Sequence, residues 1–259
     1  MIDYCAAVWR TRYFWWSLVT MDLRSRYHGS ALGLGWSLLN PILMTAVIST
    51  VFCQLFNQDF RSFAPFLLLG LAFWNYLTAC VMEGCQSFQR GEAYIRQHPA
   101  PLAIYPLRIA LGAMIHLLMT LVVVLVLVWG VQGLGNLPAL VSLVPTLLTL
   151  LVLGWATAVC MGLINVLVND TQYLIPVLMQ VLFYLTPVMY PPELLRQKGL
   201  TLLQFNPLSA YLDMFRMPVL EGRFPGWEAV AVGMLTALAV ASLAAAGLAV
   251  MQRRLVFYL

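Results

Sequence analysis

Lysine is all but missing from this chain. Of its 259 residues one is lysine, Lys198, and it stands in Gln-Lys-Gly. ATP binding by a P-loop needs G-x-x-x-x-G-K-[ST], in which backbone amides cradle the phosphates and the lysine reaches the outer ones; this polypeptide has no such loop. Charge of either sign is scarce too: 9% of the residues are charged, against roughly a quarter in an ordinary soluble domain. With 62% hydrophobic residues, too little polar surface exists to cover a globule in water, and the expected solvent is largely lipid.

Clustered acids and histidines are missing as well. His28, His98 and His116 are scattered, and no H-x-x-x-H or Asp-Asp pair occurs. A membrane-embedded hydrolase or transferase would want such groups gathered near the interface, so no catalytic residue and no metal site is expected. His116 reads as a packed residue bonded to a neighbour. Glu83 is the one acid inside an apolar run; such acids are functional candidates, but a proton-driven carrier usually shows more of them. The cysteines at 5, 53, 80, 85 and 160 are odd in number and lie mostly in apolar segments. Cys80 and Cys85 are too far apart for a C-x-x-C pair, and all five read as small buried side chains without a disulfide. Asp3, Arg10 and Arg12 interrupt the first 15 residues, which is not a signal-peptide pattern; Tyr4–Tyr27 is expected to be mature structure.

What the chain does have is long apolar runs. Six are candidates to cross about 30 Å of hydrocarbon: residues 32–56, 65–88, 107–131, 137–168, 173–189 and 227–251. The basic residues orient them. Arg10, Arg12, Arg24, Arg26, Arg90, Arg96, Arg108, Arg253 and Arg254 fall on one side, nine of the fourteen. Arg61, Arg196, Lys198, Arg216 and Arg223 fall on the other, matched there by Asp59, Glu193, Asp213, Glu221 and Glu228. Both termini are therefore expected in the cytoplasm.

Two further segments are neither span nor ordinary loop. Residues 5–27 mix Trp9, Tyr13, Phe14, Trp15 and Trp16 with four arginines, the composition of a helix lying in the membrane interface. Residues 191–225 are too apolar for a free external loop. Leu208, Tyr211, Leu212 and Phe215 share one helical face, and Asp213 and Arg216 can pair at i, i+3. Two short re-entrant helices within 192–222 are expected, packed against protein because irregular backbone at membrane depth survives only there. The fold expected is an all-α membrane protein in one transmembrane domain, residues 1–259. It has six spans, an N-terminal amphipathic helix and short periplasmic helices before the last span.

Arg26-Tyr27-His28-Gly29-Ser30, then Leu32-Gly33 and Trp36-Ser37-Leu38-Leu39-Asn40-Pro41, carry a resemblance. Ile95-Arg96-Gln97 with Pro101 and Pro106, Asp170, Tyr173–Pro176, Phe183–Pro191, Asn206-Pro207-Leu208 and Phe215-Arg216 continue it over nearly the whole chain. The series resembles the permease subunits of ABC transporters that export polysaccharides, the type-2 exporter class handling O-antigen, capsule or teichoic acid. The resemblance implies a homodimer paired with two copies of a separate ABC ATPase, in a bacterial inner membrane. It implies that ATP and Mg are held by that partner, with no cofactor on this chain, and that the substrate is a lipid-linked polysaccharide. No nucleic acid is expected among the partners.

Three groups of site residues follow. Arg24, Arg26 and His28 stand where a pyrophosphate headgroup would arrive, arginine being the side chain that grips phosphate oxygens with two parallel bonds. The same residues also obey the positive-inside rule and could serve it alone. Gly29, Gly33 and Gly35 permit a sharp turn there, and Pro41 is expected to kink the first span. Thr45, Ser49, Phe52 and Phe56 share one helical face and Tyr173, Gln180 and Tyr184 another. Each stripe mixes polar groups and rings, as a path for a sliding polymer requires; a helix interface would use the same groups. Glu92, Tyr94, Arg96 and His98, within a short cytoplasmic helix at 92–98 ended by Pro99 and Pro101, are candidates for contact with the ATPase. An integral membrane enzyme acting on polyprenyl-linked sugars is the alternative.

Overall fold

Backbone surrounded by hydrocarbon must satisfy its own N–H and C=O groups, and a helix does so within one segment. The computed structural model describes residues 2–26, 28–30, 33, 35–56, 59–97, 100–132, 137–191, 206–252 and 255–258. Every regular element among them is helical. In chain order they are α1 (Ile2–Arg10), α2 (Arg12–Arg26), α3 (Gly35–Phe56), α4 (Phe60–Cys85), α5 (Ser87–Gln97) and α6 (Ile104–Gln132). A 3-10 segment, Leu137–Ser142, leads into α7 (Leu143–Leu167), followed by α8 (Thr171–Leu185), α9 (Pro207–Arg216), a π-helical turn (Met217–Glu221), α10 (Trp227–Met251) and α11 (Leu255–Tyr258).

Among the described residues four helical segments are long and apolar enough to cross a membrane: Phe60–Cys85, Ile104–Gly130, Leu137–Leu167 and Trp227–Met251. Two shorter apolar stretches, Leu38–Gln54 within α3 and Thr171–Leu185, accompany them. The N-terminal segment is two helices, not one. The Thr11 hydroxyl donates to the Ala7 and Val8 carbonyls at 3.2 and 3.0 Å, a local bond that competes with helix continuation. The helix expected at 92–98 begins earlier, at Ser87, because only Gln86 leaves helical geometry after α4 and nothing from Phe88 to Glu92 breaks a helix. Its C-terminus at Gln97 precedes Pro99 and Pro101, and residues 98–99 lie outside the described ones. Residues 192–205, where the first re-entrant helix is expected, also lie outside them. The second is α9. Asn206 caps it, its Oδ1 accepting from the Leu208 amide at 2.9 Å, and Pro207 takes the first helical position, where a missing N–H costs nothing.

The core centres on α4, whose Phe63, Leu67, Phe73, Tyr76, Leu77 and Cys80 are all buried. It meets α7 closely: a Cβ at Gly84 would stand 2.6 Å from the Ala158 Cα, so this approach requires glycine, as small residues do between membrane helices. Tyr76 donates to the Leu150 carbonyl of α7 at 3.1 Å. At the middle of α4, Phe73 stacks on Tyr211 of α9 with ring centroids 6.1 Å apart, and the Tyr211 hydroxyl donates to the Gly233 carbonyl of α10 at 2.6 Å. α9 is thereby wedged between α4 and α10. The C-terminal end of α4 faces the opposite way, toward a gathering of arginines.

Candidate functional site

Helical spacing builds a charged cavity where α4 ends. On α2, Asp22 and Arg26 are four residues apart and so share a face. On α6, Arg108, Gly112 and His116 repeat at the same interval. These two faces, with Glu83 near the end of α4 and Arg90 of α5, line a cavity of about 260 Å³. Arg26 pairs with Glu83 at 2.5 Å. Across the cavity, Arg108 is 5% exposed, and its Nε stands 3.5 Å from the Asp22 carboxylate. A formed guanidinium–carboxylate bond is about 2.7–2.9 Å, and Arg108 Nε has no hydrogen-bond partner among the described residues. Arg90 rests both Nε and Nη2 on the neutral amide oxygen of Gln86, at 3.1 and 2.7 Å.

Of the three headgroup candidates, the structure brings Arg26 to this cavity. Arg24 and His28 are exposed and do not line it. Gly29 and Gly33 do adopt positive φ, 77° and 51°, the region that favours glycine. Pro41 lies inside α3. His116, read from sequence as a packed residue, lines the wall of the cavity.

The two stripes face different surroundings. Thr45 and Ser49 are buried at 4% and 0% exposure, and neither hydroxyl has a hydrogen-bond partner among the described residues. With half-buried Ile48 and Phe52, their side of α3 packs on the core around α4. The side chain of Phe56 lies outside the described ones. Tyr173, Gln180 and Tyr184 are instead exposed along one side of α8.

The coupling candidates sit on a docked platform. Glu92 and Arg96 form an exposed i, i+4 pair at 2.9 Å, and Tyr94 meets Phe14 of α2 edge to face, centroids 5.9 Å apart. His98 lies outside the described residues. Behind the platform, Ala103 is held from two sides: its amide donates to the Tyr4 hydroxyl at 3.1 Å and its carbonyl accepts from Trp155 Nε1 at 3.2 Å.

Sequence reasoning passed over two joints. Asn165 of α7 is fully buried. Its Nδ2 donates to the Cys85 carbonyl at 3.0 Å and its Oδ1 accepts from the Gln172 amide at 3.2 Å, so it ties the end of α4 to the start of α8. An amide inside an apolar run was the available signal. Arg216 of α9, 5% exposed, donates to the carbonyls of Pro187 and Val188 at 2.8 and 2.7 Å. Its spacing puts it on a short helix, paired with Asp213, and does not anticipate these two carbonyls.

Residues 13–220 match the family described as ABC-2 type transporter. The chain is 26% identical over 216 residues to the O-antigen export system permease protein RfbA of Myxococcus xanthus, covering 82% of each chain. It is 22% identical over 205 residues to the protein of that name from Klebsiella pneumoniae, covering 79% of each. It is 21% identical over 217 residues to the polysialic acid transport protein KpsM of Escherichia coli, covering 80% of this chain and 81% of that one.

Proposed function

The chain belongs to the ABC-2 type transporter family, and from that premise we propose that it is the membrane subunit of an ATP-driven exporter of lipid-linked polysaccharide of the O-antigen or capsule type. As a transporter permease it is not an enzyme, which sets aside the polyprenyl-sugar enzyme raised by composition. One observation carries the substrate reading: relatives named for O-antigen export align over about four fifths of both chains.

In this reading two copies pair in a bacterial inner membrane with two copies of an ABC ATPase, which holds ATP and Mg. α3 and α8 complete six spans with the four longer helices, and both termini are cytoplasmic. α1 and α2 lie at the inner interface, with α5 and its Glu92–Arg96 edge against the ATPase. The exposed face of α8, with Tyr173, Gln180 and Tyr184, walls the polymer path. Its rings and amide offer the weak repeated contacts a sliding chain needs. Thr45, Ser49 and Phe52 back that path from α3, their side of the helix resting on α4. Arg26 receives the headgroup, and Arg24 and His28 guide its approach from the inner leaflet.

The test is co-expression of the tagged chain with ABC ATPases from the same genome. Co-purification at equal stoichiometry, with loss of surface polysaccharide when either gene is deleted, is the expected result. A chain that purifies without an ATPase and whose deletion leaves surface polysaccharide intact is incompatible with the proposal.

A further inference from the structure

We infer that the cavity between α2, α4 and α6 is a phosphate-binding site kept closed by the protein's own Glu83, which occupies Arg26 until a phosphate or diphosphate group replaces it. The ligand class leans on the export reading; the geometry does not. Size is the first constraint. At about 260 Å³ the cavity lies below the roughly 300–1,000 Å³ of sites that enclose whole small molecules, so it suits a compact headgroup and excludes a sugar repeat.

Charge is the second constraint. Three guanidinium groups, Arg26, Arg90 and Arg108, face two carboxylates, Asp22 and Glu83, leaving the wall net positive. Arg108 is the group in deficit. It is buried, the Asp22 carboxylate stands at 3.5 Å, and among the described residues its Nε lacks a hydrogen-bond partner, whereas a buried charge is stable only when paired and fully bonded. Phosphate oxygens supply the missing acceptors, and the guanidinium fork matches them. Arg90 spends its fork on a neutral amide and can exchange it for an anion at little cost.

Glu83 supplies the regulation. Its pair with Arg26 is partly open to solvent, the two side chains being 30% and 45% exposed, so it is weak enough for a doubly charged ligand to displace. Glu83 lies three residues before Gln86, where α4 gives way to α5. A phosphate that releases Glu83 and recruits Arg90 therefore acts on both sides of that junction, and loading of the cavity is felt at the platform on α5.

The experiment is equilibrium binding of radiolabelled inorganic pyrophosphate and of a radiolabelled polyprenyl diphosphate to the full chain in phosphatidylcholine nanodiscs. Glu83→Gln should tighten both by about two- to fivefold, the value of a partly exposed ion pair. Arg108→Gln should weaken them about tenfold or more. Arg90→Gln, at an exposed position that leaves the core intact, should weaken them severalfold, which keeps the test valid if the Arg108 variant does not fold. Equal affinity for the two probes assigns the site to phosphate from a soluble source; a polyprenyl diphosphate bound about tenfold tighter assigns it to a lipid headgroup; either result supports the inference. No binding of either probe overturns it, as does a Glu83→Gln affinity that is unchanged or weaker. Because no transport is measured, a chain that exports polymer yet binds neither probe refutes this site alone, and one that binds both probes yet exports nothing refutes the export reading alone.

Discussion

The guanidinium of Arg216 lies 3.6 Å over the ring of Phe66 while its two terminal nitrogens hold the Pro187 and Val188 carbonyls. One side chain thus joins α9, α4 and the segment after α8. Lysine cannot reach two carbonyls and stack at once. Arg216→Lys should lower stability by about 2–3 kcal/mol and Phe66→Leu by about 1 kcal/mol, read as thermal melting of the detergent-purified chain. A lysine variant melting with the wild type would show that the clamp is dispensable.

Asn165 should behave as a joint of similar value. Asn165→Ala leaves the Cys85 carbonyl and the Gln172 amide buried without partners, a loss of about 2–3 kcal/mol. Asn165→Asp should cost more than alanine, since its carboxylate meets the Cys85 carbonyl oxygen where Nδ2 now donates. Melting curves of the two variants check both the size and the order.

Coupling through α5 makes a separate demand. Arg96→Glu breaks an exposed pair worth under about 1 kcal/mol, so the protein should melt normally while export and substrate-stimulated ATPase activity fall. Tyr94→Ala, which removes the contact with Phe14, should have the same effect. Full coupling in both variants would move the ATPase contact away from α5.

Thiol chemistry tests the polymer path. Single cysteines at Tyr173, Gln180 and Tyr184 should react with a bulky maleimide in the resting complex and block export. A cysteine at fully buried Ser49 should react only during turnover, if at all. Exposed Val47 and Leu182 should tolerate modification. Equal block at Tyr184 and Leu182 would remove the assignment of α8 to the path.

Orientation is checked by labelling intact cells. Arg223 and Gln252 are both exposed and flank α10 at opposite ends. A cysteine at Arg223 should label from outside, and one at Gln252 only after the membrane is opened; the reverse pattern would invert the topology.

Much of this helical layout can be read in the chain because long apolar runs in lipid have few alternatives to helix. The last run is helical from Trp227 to Met251, the bounds that hydropathy alone suggests. The N-terminal split at Thr11 and the early start of α5 are local backbone choices that composition does not register. Periodicity puts Thr45 and Ser49 on one face but cannot say which neighbour that face meets; packing of α3 on α4 decides it. The cavity was half visible in Arg26 and in Glu83, an acid within the apolar run 65–88. Arg108 and His116 join them through the lateral arrangement of α2, α4 and α6, which leaves no trace in any single helix.

α4 runs from Phe60 to Cys85 with Pro65 near its start, and α5 starts after a single intervening residue. At 1.5 Å per residue its 26 residues form a rod of roughly 39 Å. Toward one end the Arg216 guanidinium of α9 lies over Phe66; near the other Glu83 meets the arginines. Beyond Pro65 the rod holds no further proline, and a tilt imposed on that stretch at one end appears at the other as an opposed displacement. The two ends of α4 therefore hang on a common lever, so a shift at the cavity beside Glu83 is mechanically legible at α9 without any messenger between them.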